Sequence, residues 1–224
     1  MTRTRFQHEL DRLKHNLLAM AGMAEQAVQR AMEAYGSRDP KVCRLVLAGE
    51  ANINLAEREI DDLALELLAM QQPMAVDLRF ILAGLKINAD LERVGDQAVN
   101  IAERVMRLSA LPPADLPLDL PRIGFLASLM VRQAIEAFVR GDATLARAVL
   151  QMDDQVDSMN DEAYVAMSRA MSQTPQYAEQ ALNLLLISRN LERVADHATN
   201  IAEDVIFWVQ GANVRHNAQI STGR

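Results

Sequence analysis

Glu92 and Asp96 stand four residues apart, and Glu192 and Asp196 repeat the pair further along the chain. At 3.6 residues per helical turn each pair shares one face; Glu103 and Glu203 extend the two stripes, with Asn100 and Asn200 alongside. Two other segments carry a similar pattern. Glu50, Asn54, Glu57 and Asp61 form one stripe, and Asp153 and Asp157, followed by Asn160 and Asp161, form the other. Carboxylates four apart on a helix repel by about 0.2–0.5 kcal/mol per pair. A cation held between two stripes would offset that repulsion, and clustered oxygen ligands suit Mg, Mn, Fe or Zn. The plainer alternative is a solvated acidic face paired locally by Arg58, Arg93 and Arg193; the presence of two copies weighs toward the cation.

The elements that position these acids are helices. Only 9 Gly, 7 Pro and 4% aromatic residues in 224 argue against an all-β fold, and abundant Ala, Leu, Met and Arg suit helix. Apolar periodicity predicts six helices, at about 5–35, 40–70, 75–109, 123–140, 143–172 and 176–211. Gly36 to Pro40 supplies a stop, an N-cap in Asp39 and a proline at the first helical position. Pro73 ends the second helix, and Thr174-Pro175 breaks the fifth from the sixth. Residues 111–121 hold four of the seven prolines and read as an extended linker.

The chain is also duplicated. Leu91–Val105 and Leu191–Val205 agree at 11 of 15 positions, an offset of 100, while Ala31–Tyr35 aligns with Ala134–Phe138 at an offset of 103. Three residues are therefore missing from the second half, at the Pro175 turn. Phe80, Gly84, Ile87, Leu91, Val94, Ala98, Ile101, Val105 and Leu108 recur at four-three spacing, and Leu184 to Trp208 repeat the seam. The expected fold is all-α, two tandem pseudo-symmetric antiparallel three-helix bundles. The first spans 1–110 and the second 122–211, with 111–121 between them and 212–224 a frayed tail.

Thirty acids against 23 Lys and Arg give a net charge of -7, which disfavours nucleic acid. Nine of the stripe acids, Glu50, Glu57, Asp61, Glu92, Asp96, Asp153, Asp157, Glu192 and Asp196, account for the surplus: without them 21 acids would face 23 bases, so it is concentrated where a cation would sit. A single cysteine, Cys43, forms no internal disulfide and reads as a buried thiol. The first residues are charged and amphipathic, and no segment has the roughly 20 apolar residues that span a bilayer, so the chain reads as cytoplasmic.

Other candidates are weaker. His197 stands beside the second stripe and reads first as a surface histidine; His8, His15 and His216 have no constellation around them. The 12 methionines sit at helical spacing, as flexible core filler. Arg79 reads as an intrahelical ion pair or, less simply, as a partner anchor. There is no Gly-rich phosphate loop, no His-x-Glu-x-x-His and no Glu-x-x-His of a di-iron bundle, and no nucleophile has an adjacent base. The acids are expected to face outward, opposite the seam, and a catalytic role has little support.

The doubled Leu-Glu-Arg-Val-(Gly/Ala)-Asp at Leu91–Asp96 and Leu191–Asp196, the run Gln72-Pro73-Met74-Ala75-Val76-Asp77-Leu78-Arg79, and Asp153-Asp154-Gln155-Val156-Asp157 together resemble the PhoU family. The resemblance covers about residues 5–210. It implies a pair of three-helix bundles in a cytoplasmic, homodimeric negative regulator of phosphate-starvation signalling and phosphate uptake. Such a regulator contacts the ATPase of the phosphate ABC transporter and the phosphate-sensing histidine kinase, and meets the membrane only through these partners. It also implies metal clusters on Glu/Asp-x-x-x-Asp motifs, which Glu92 with Asp96 and Glu192 with Asp196 match. For the partner helices Glu57 with Asp61 fits in the first half, and both Asp153 with Asp157 and Asp157 with Asp161 fit in the second. The repeat offset pairs Asp153 and Asp157 with Glu50 and Asn54, and that asparagine departs from the acidic pattern. A different class of function is a helical metalloprotein whose clusters serve storage or a metal-dependent reaction; a third is a metal-free helical scaffold.

Overall fold

Each amphipathic run folds as one helix. In a computed structural model that describes residues 3–71, 73–212 and 214, they are α1 (Arg3–Ser37), α2 (Pro40–Gln71), α3 (Ala75–Ser109), α4 (Leu120–Arg140), α5 (Ala143–Gln173) and α6 (Ala178–Gln210). A 3-10 turn, Pro175–Tyr177, separates α5 from α6, and no strand occurs among the described residues. At ~1.5 Å per residue the 35-residue α3 is ~50 Å long. Gln72, His216 and most of the expected tail lie outside the described residues.

The punctuation works as its chemistry requires. The Asp39 carboxylate accepts from the Lys41 backbone N–H at 2.8 Å and caps α2. Asp142 caps α5 through Thr144 and Leu145 at 2.9 and 3.0 Å. α4 begins three residues earlier than its apolar period indicates, because Asp119 accepts from the Arg122 N–H and Pro121 then falls in the first turn rather than in the linker. Residues 111–119 have no regular secondary structure, and Leu116 and Leu118 of that segment pack against the core.

α1, α2 and α3 pack on one another, as do α4, α5 and α6. The seam residues of α3 are all buried, and those of α6 from Leu184 to Val205 repeat them. Val46 and Val149, Ile53 and Val156, and Ile60 and Ala163 are buried at equivalent positions, so the 103-residue offset runs through α5 and the deletion falls at the turn before α6. α3 and α6 also pack against each other, as do α1 and α4, and one buried cluster draws on all six helices.

This second contact explains what a single seam cannot. α3 and α6 bury polar positions off their apolar stripes, Gln97 and Asp204 among them, besides Asn88 and Ser188, which bond within their own triplets. Lys86 Nζ reaches the 2%-exposed Asp204 carboxylate at 3.0 Å. Asp90 Oδ1 accepts from Asn200 at 3.3 Å and lies 2.9 Å from His197 Nδ1. Polar contacts therefore tie one triplet of helices to the other. Cys43 is buried. No described helix is long and apolar enough to cross a membrane.

Candidate metal-binding faces

α2 and α3 run antiparallel, and the stripe on each flanks their contact. Gly95 permits this approach: a Cβ there would lie 2.8 Å from Ile53 Cδ1. Glu50, Glu57 and Asp61 of α2 thus come beside Glu92 and Asp96 of α3, all half-buried. Burial raises the Glu57 carboxyl above its ordinary value, repulsion from Asp61 and Asp96 adds to this, and Arg58 opposes it. Glu92 is likewise raised by burial and then by Asp96, Glu57 and Glu50, against Arg93.

α5 and α6 build the corresponding face more tightly. Burial first, then Asp157, Asp196, Asp154 and Glu192, push Asp153 up to about 6. Glu192 is raised by burial, with Asp196 and Asp157 adding and Arg189 and Arg193 opposing. Asp196 is raised by burial and by Asp157, against the positive ends of His197, Arg189 and Arg193. Four carboxylates from two helices therefore feel one another. Asp153 Oδ1 and Glu192 Oε2 are buried without a hydrogen-bond partner, a condition that costs free energy until something positive or a proton arrives.

The donor set on both faces is carboxylate oxygen, the chemistry that hard and borderline divalent cations take, and the two orphaned oxygens of the second face fit such an ion. Among the described residues no three such side chains stand close enough to enclose an ion as they are arranged. The paired helices fix the separation of the acids on each face.

The remaining candidates sort themselves by position. Asp161 is exposed and is not among the charges acting on the second cluster, whereas Asp153 and Asp157 both are. Asn54 is half-buried and its carbonyl accepts from Arg58 Nε at 3.2 Å. Asn100 and Glu103 are exposed, and Glu203 is half-buried. Asn200 is committed to Asp90 across the triplets. Asn160 is buried and accepts from Ser188 Oγ at 3.0 Å, where the first half has Asn88 donating to the Glu57 carbonyl and the Asp61 carboxylate, each at 2.9 Å.

Four expectations need correction. The acids do not all face outward: Asp157 and Asp196 are exposed, but the Glu192 side chain is only 12% exposed, because the stripe flanks a helix contact instead of lying opposite one. Its close partner is Arg189 at 2.5 Å, not Arg193. His197 is not a free surface histidine but is 14% exposed against Asp90. Arg79 forms neither an intrahelical pair nor an open anchor, since its Nε donates to the Trp208 carbonyl at 3.2 Å and closes the end of α6. Asp90 and Lys86 were invisible as functional or structural polar residues because nothing in their local spacing marks a second buried face.

The family model described as "PhoU domain" matches residues 17–105 and 120–205. A protein of Pseudomonas aeruginosa named as a phosphate-specific transport system accessory protein PhoU homolog is 38% identical over 214 residues, 94% of this chain and 88% of its own. A like-named protein of Clostridium acetobutylicum is 33% identical over 97% of this chain and 100% of its own. The crystal structure of PhoU from P. aeruginosa superposes with a TM-score of 0.88 at 37% identity, covering 92% of this chain and 100% of that one. The phosphate transport system regulatory protein PhoU from Streptococcus pneumoniae gives 0.83 at 27% identity, over 93% and 99%.

Proposed function

The chain belongs to the PhoU family, and from that premise we propose that it is a regulator associated with phosphate transport. The observation that carries this reading is the match over almost the whole chain to relatives named as accessory proteins of the phosphate-specific transport system. In the finer reading it is a negative regulator of phosphate-starvation signalling and phosphate uptake. It acts in the cytoplasm, as a homodimer and without catalysis of its own, as an adaptor between the ATPase of the phosphate ABC transporter and the phosphate-sensing histidine kinase. It reaches the membrane through those partners.

Helical surfaces suit this work. Long rigid rods present wide faces, and the described residues leave large apolar side chains exposed for protein contact, among them Met74 and Val76 at the start of α3 and Tyr164 and Val165 on α5. The acid faces add charge to that surface. Glu50, Glu57, Asp61, Glu92 and Asp96 would hold a cation on the first face, and Asp153, Asp157, Glu192 and Asp196 on the second. A bound Mg, Mn, Fe or Zn ion would supply positive charge that cancels the repulsion between the paired helices and stiffens the surface they share. Asp157 is exposed and Asp96 half-buried, which leaves each face open at its rim and favours a surface role over an enclosed reaction site.

A pull-down of the tagged chain from cells grown in high and in low phosphate tests the reading. Recovery of the transporter ATPase and the histidine kinase, changing with phosphate, is the expected result; recovery of neither in both conditions contradicts it.

A further inference from the structure

The duplication is broken at one place in a way that leaves a cavity. At the end of the fold where α3 begins and α4 and α6 finish, Phe80, Phe138 and Trp208 form a trio with ring centroids 5.1–5.4 Å apart. The repeat offsets map these residues onto Gln180, Tyr35 and Leu108, at the opposite end of the molecule. There the smaller set does not fill the space, and a cavity of about 340 Å³ opens between them, walled also by Leu184, Arg38 and Pro113. That volume lies at the lower end of the range for small-molecule sites, ~300–1,000 Å³.

The same mapping places Arg38 opposite Gly141. Both take the left-handed conformation that ends a helix, φ 54° and φ 63°. Glycine adopts it freely, whereas a residue with a Cβ does so at a cost. Arg38 has an unfavourable backbone where its counterpart has none, and its guanidinium lines the cavity, where one N–H goes to the Leu108 carbonyl at 3.2 Å. Of the other polar lining groups, the Gln180 amide donates to the Pro112 carbonyl and the Ser109 hydroxyl to the Val105 carbonyl. Arg38 and Tyr35 are then the lining groups able to take a ligand's charge, beside Leu108, Leu184 and Pro113; the Asp119 carboxylate, whose charge also acts on Tyr35, accepts from the Arg122 N–H at 3.2 Å.

We propose that this cavity is a binding site for a small organic anion, its flat apolar body lying where the rings lie at the other end of the fold and its carboxylate held by Arg38 and Tyr35. Such a site would let the helix ends and the 111–119 segment respond to a metabolite independently of the acid faces, which lie along the middle of the helix pairs.

The test titrates the full chain with indole-3-acetate and with the neutral indole-3-acetamide, read by ligand-observed NMR and calorimetry. The acetate is expected to bind saturably and at least tenfold more tightly than the amide. Arg38→Gly, which copies the backbone solution of Gly141 and so retains the fold by circular dichroism, is expected to reduce acetate binding to the level of the amide. Gln180→Phe or Leu184→Phe, which refill the space, are expected to remove binding of both. Absence of saturable acetate binding up to about 10 mM, where even a millimolar site would be filled, overturns the proposal. So do equal affinities for the two probes, or unchanged acetate binding by Arg38→Gly.

Discussion

Replacing Asp153 by asparagine should make the metal-free protein more stable at pH 7. Burial and the neighbouring acids raise the Asp153 carboxyl from 3.8 to about 6, so the folded chain pays to keep it ionised. That difference corresponds to ~3 kcal/mol at about 1.4 kcal/mol per pH unit. The group is half-exposed, and solvent screening leaves about half of this, ~1.5 kcal/mol. The folded state binds the proton more tightly than the unfolded one. The penalty is therefore fully present above about pH 6, is relieved as the pH falls toward 3.8, and is absent below that. In chelator at pH 7, Asp153→Asn should melt ~3–6 °C above the wild type, and at pH 4 the gap should close. A divalent cation at a hundred times its dissociation constant should reverse the order, adding about 2.7 kcal/mol to the wild type and less to the variant. Calorimetric melts with chelator, Mg and Mn give both halves. An equal melting temperature in chelator at pH 7 would refute the burial argument, and equal gains from the cation would refute the second face as its site.

The helix contacts make further predictions. Gly95→Ala gains ~1 kcal/mol of helix propensity but puts a Cβ 2.8 Å from the buried Ile53, so it should lose ~1 kcal/mol net, read by denaturant unfolding. Gly124→Ala meets the half-buried Met32 side chain instead and should stay within about 1 kcal/mol of the wild type, more stable than Gly95→Ala. Asp90→Ala removes the acceptor of His197 and Asn200 across the triplets and should cost ~1–3 kcal/mol. Phe80→Ala opens the aromatic trio and should cost ~3 kcal/mol or more, whereas Gln180→Ala, its counterpart at the cavity, should cost about 1.

What was legible in the sequence is what helical period and turn chemistry encode. The seam from Phe80 to Leu108, the Asp39 cap and the break at Pro175 are local signals, and the duplication confirms them twice. The acid stripes were legible as stripes, but their depth was not. Whether Glu192 faces water depends on how closely α5 approaches α6, which is a property of two distant segments. The same limit hid Asp90, Lys86 and Asp204, because a helix that packs on two sides shows only its stronger apolar stripe in the period. The ambiguity among Asp153, Asp157 and Asp161 was one of register, and the packing of α5 on α6 brings the first two together with Glu192 and Asp196. Arg38 shows the reverse case: its repeat partner Gly141 was already in view, but its positive φ appears only in the folded chain.

In the role proposed for it, this chain restrains the phosphate-starvation response. The most direct measurement is expression of a phosphate-starvation reporter in high phosphate, in a strain lacking the gene and in the same strain carrying it again. The expected reporter is switched on by the deletion and silenced by the restored chain; a reporter that stays silent without the gene would overturn the proposed role.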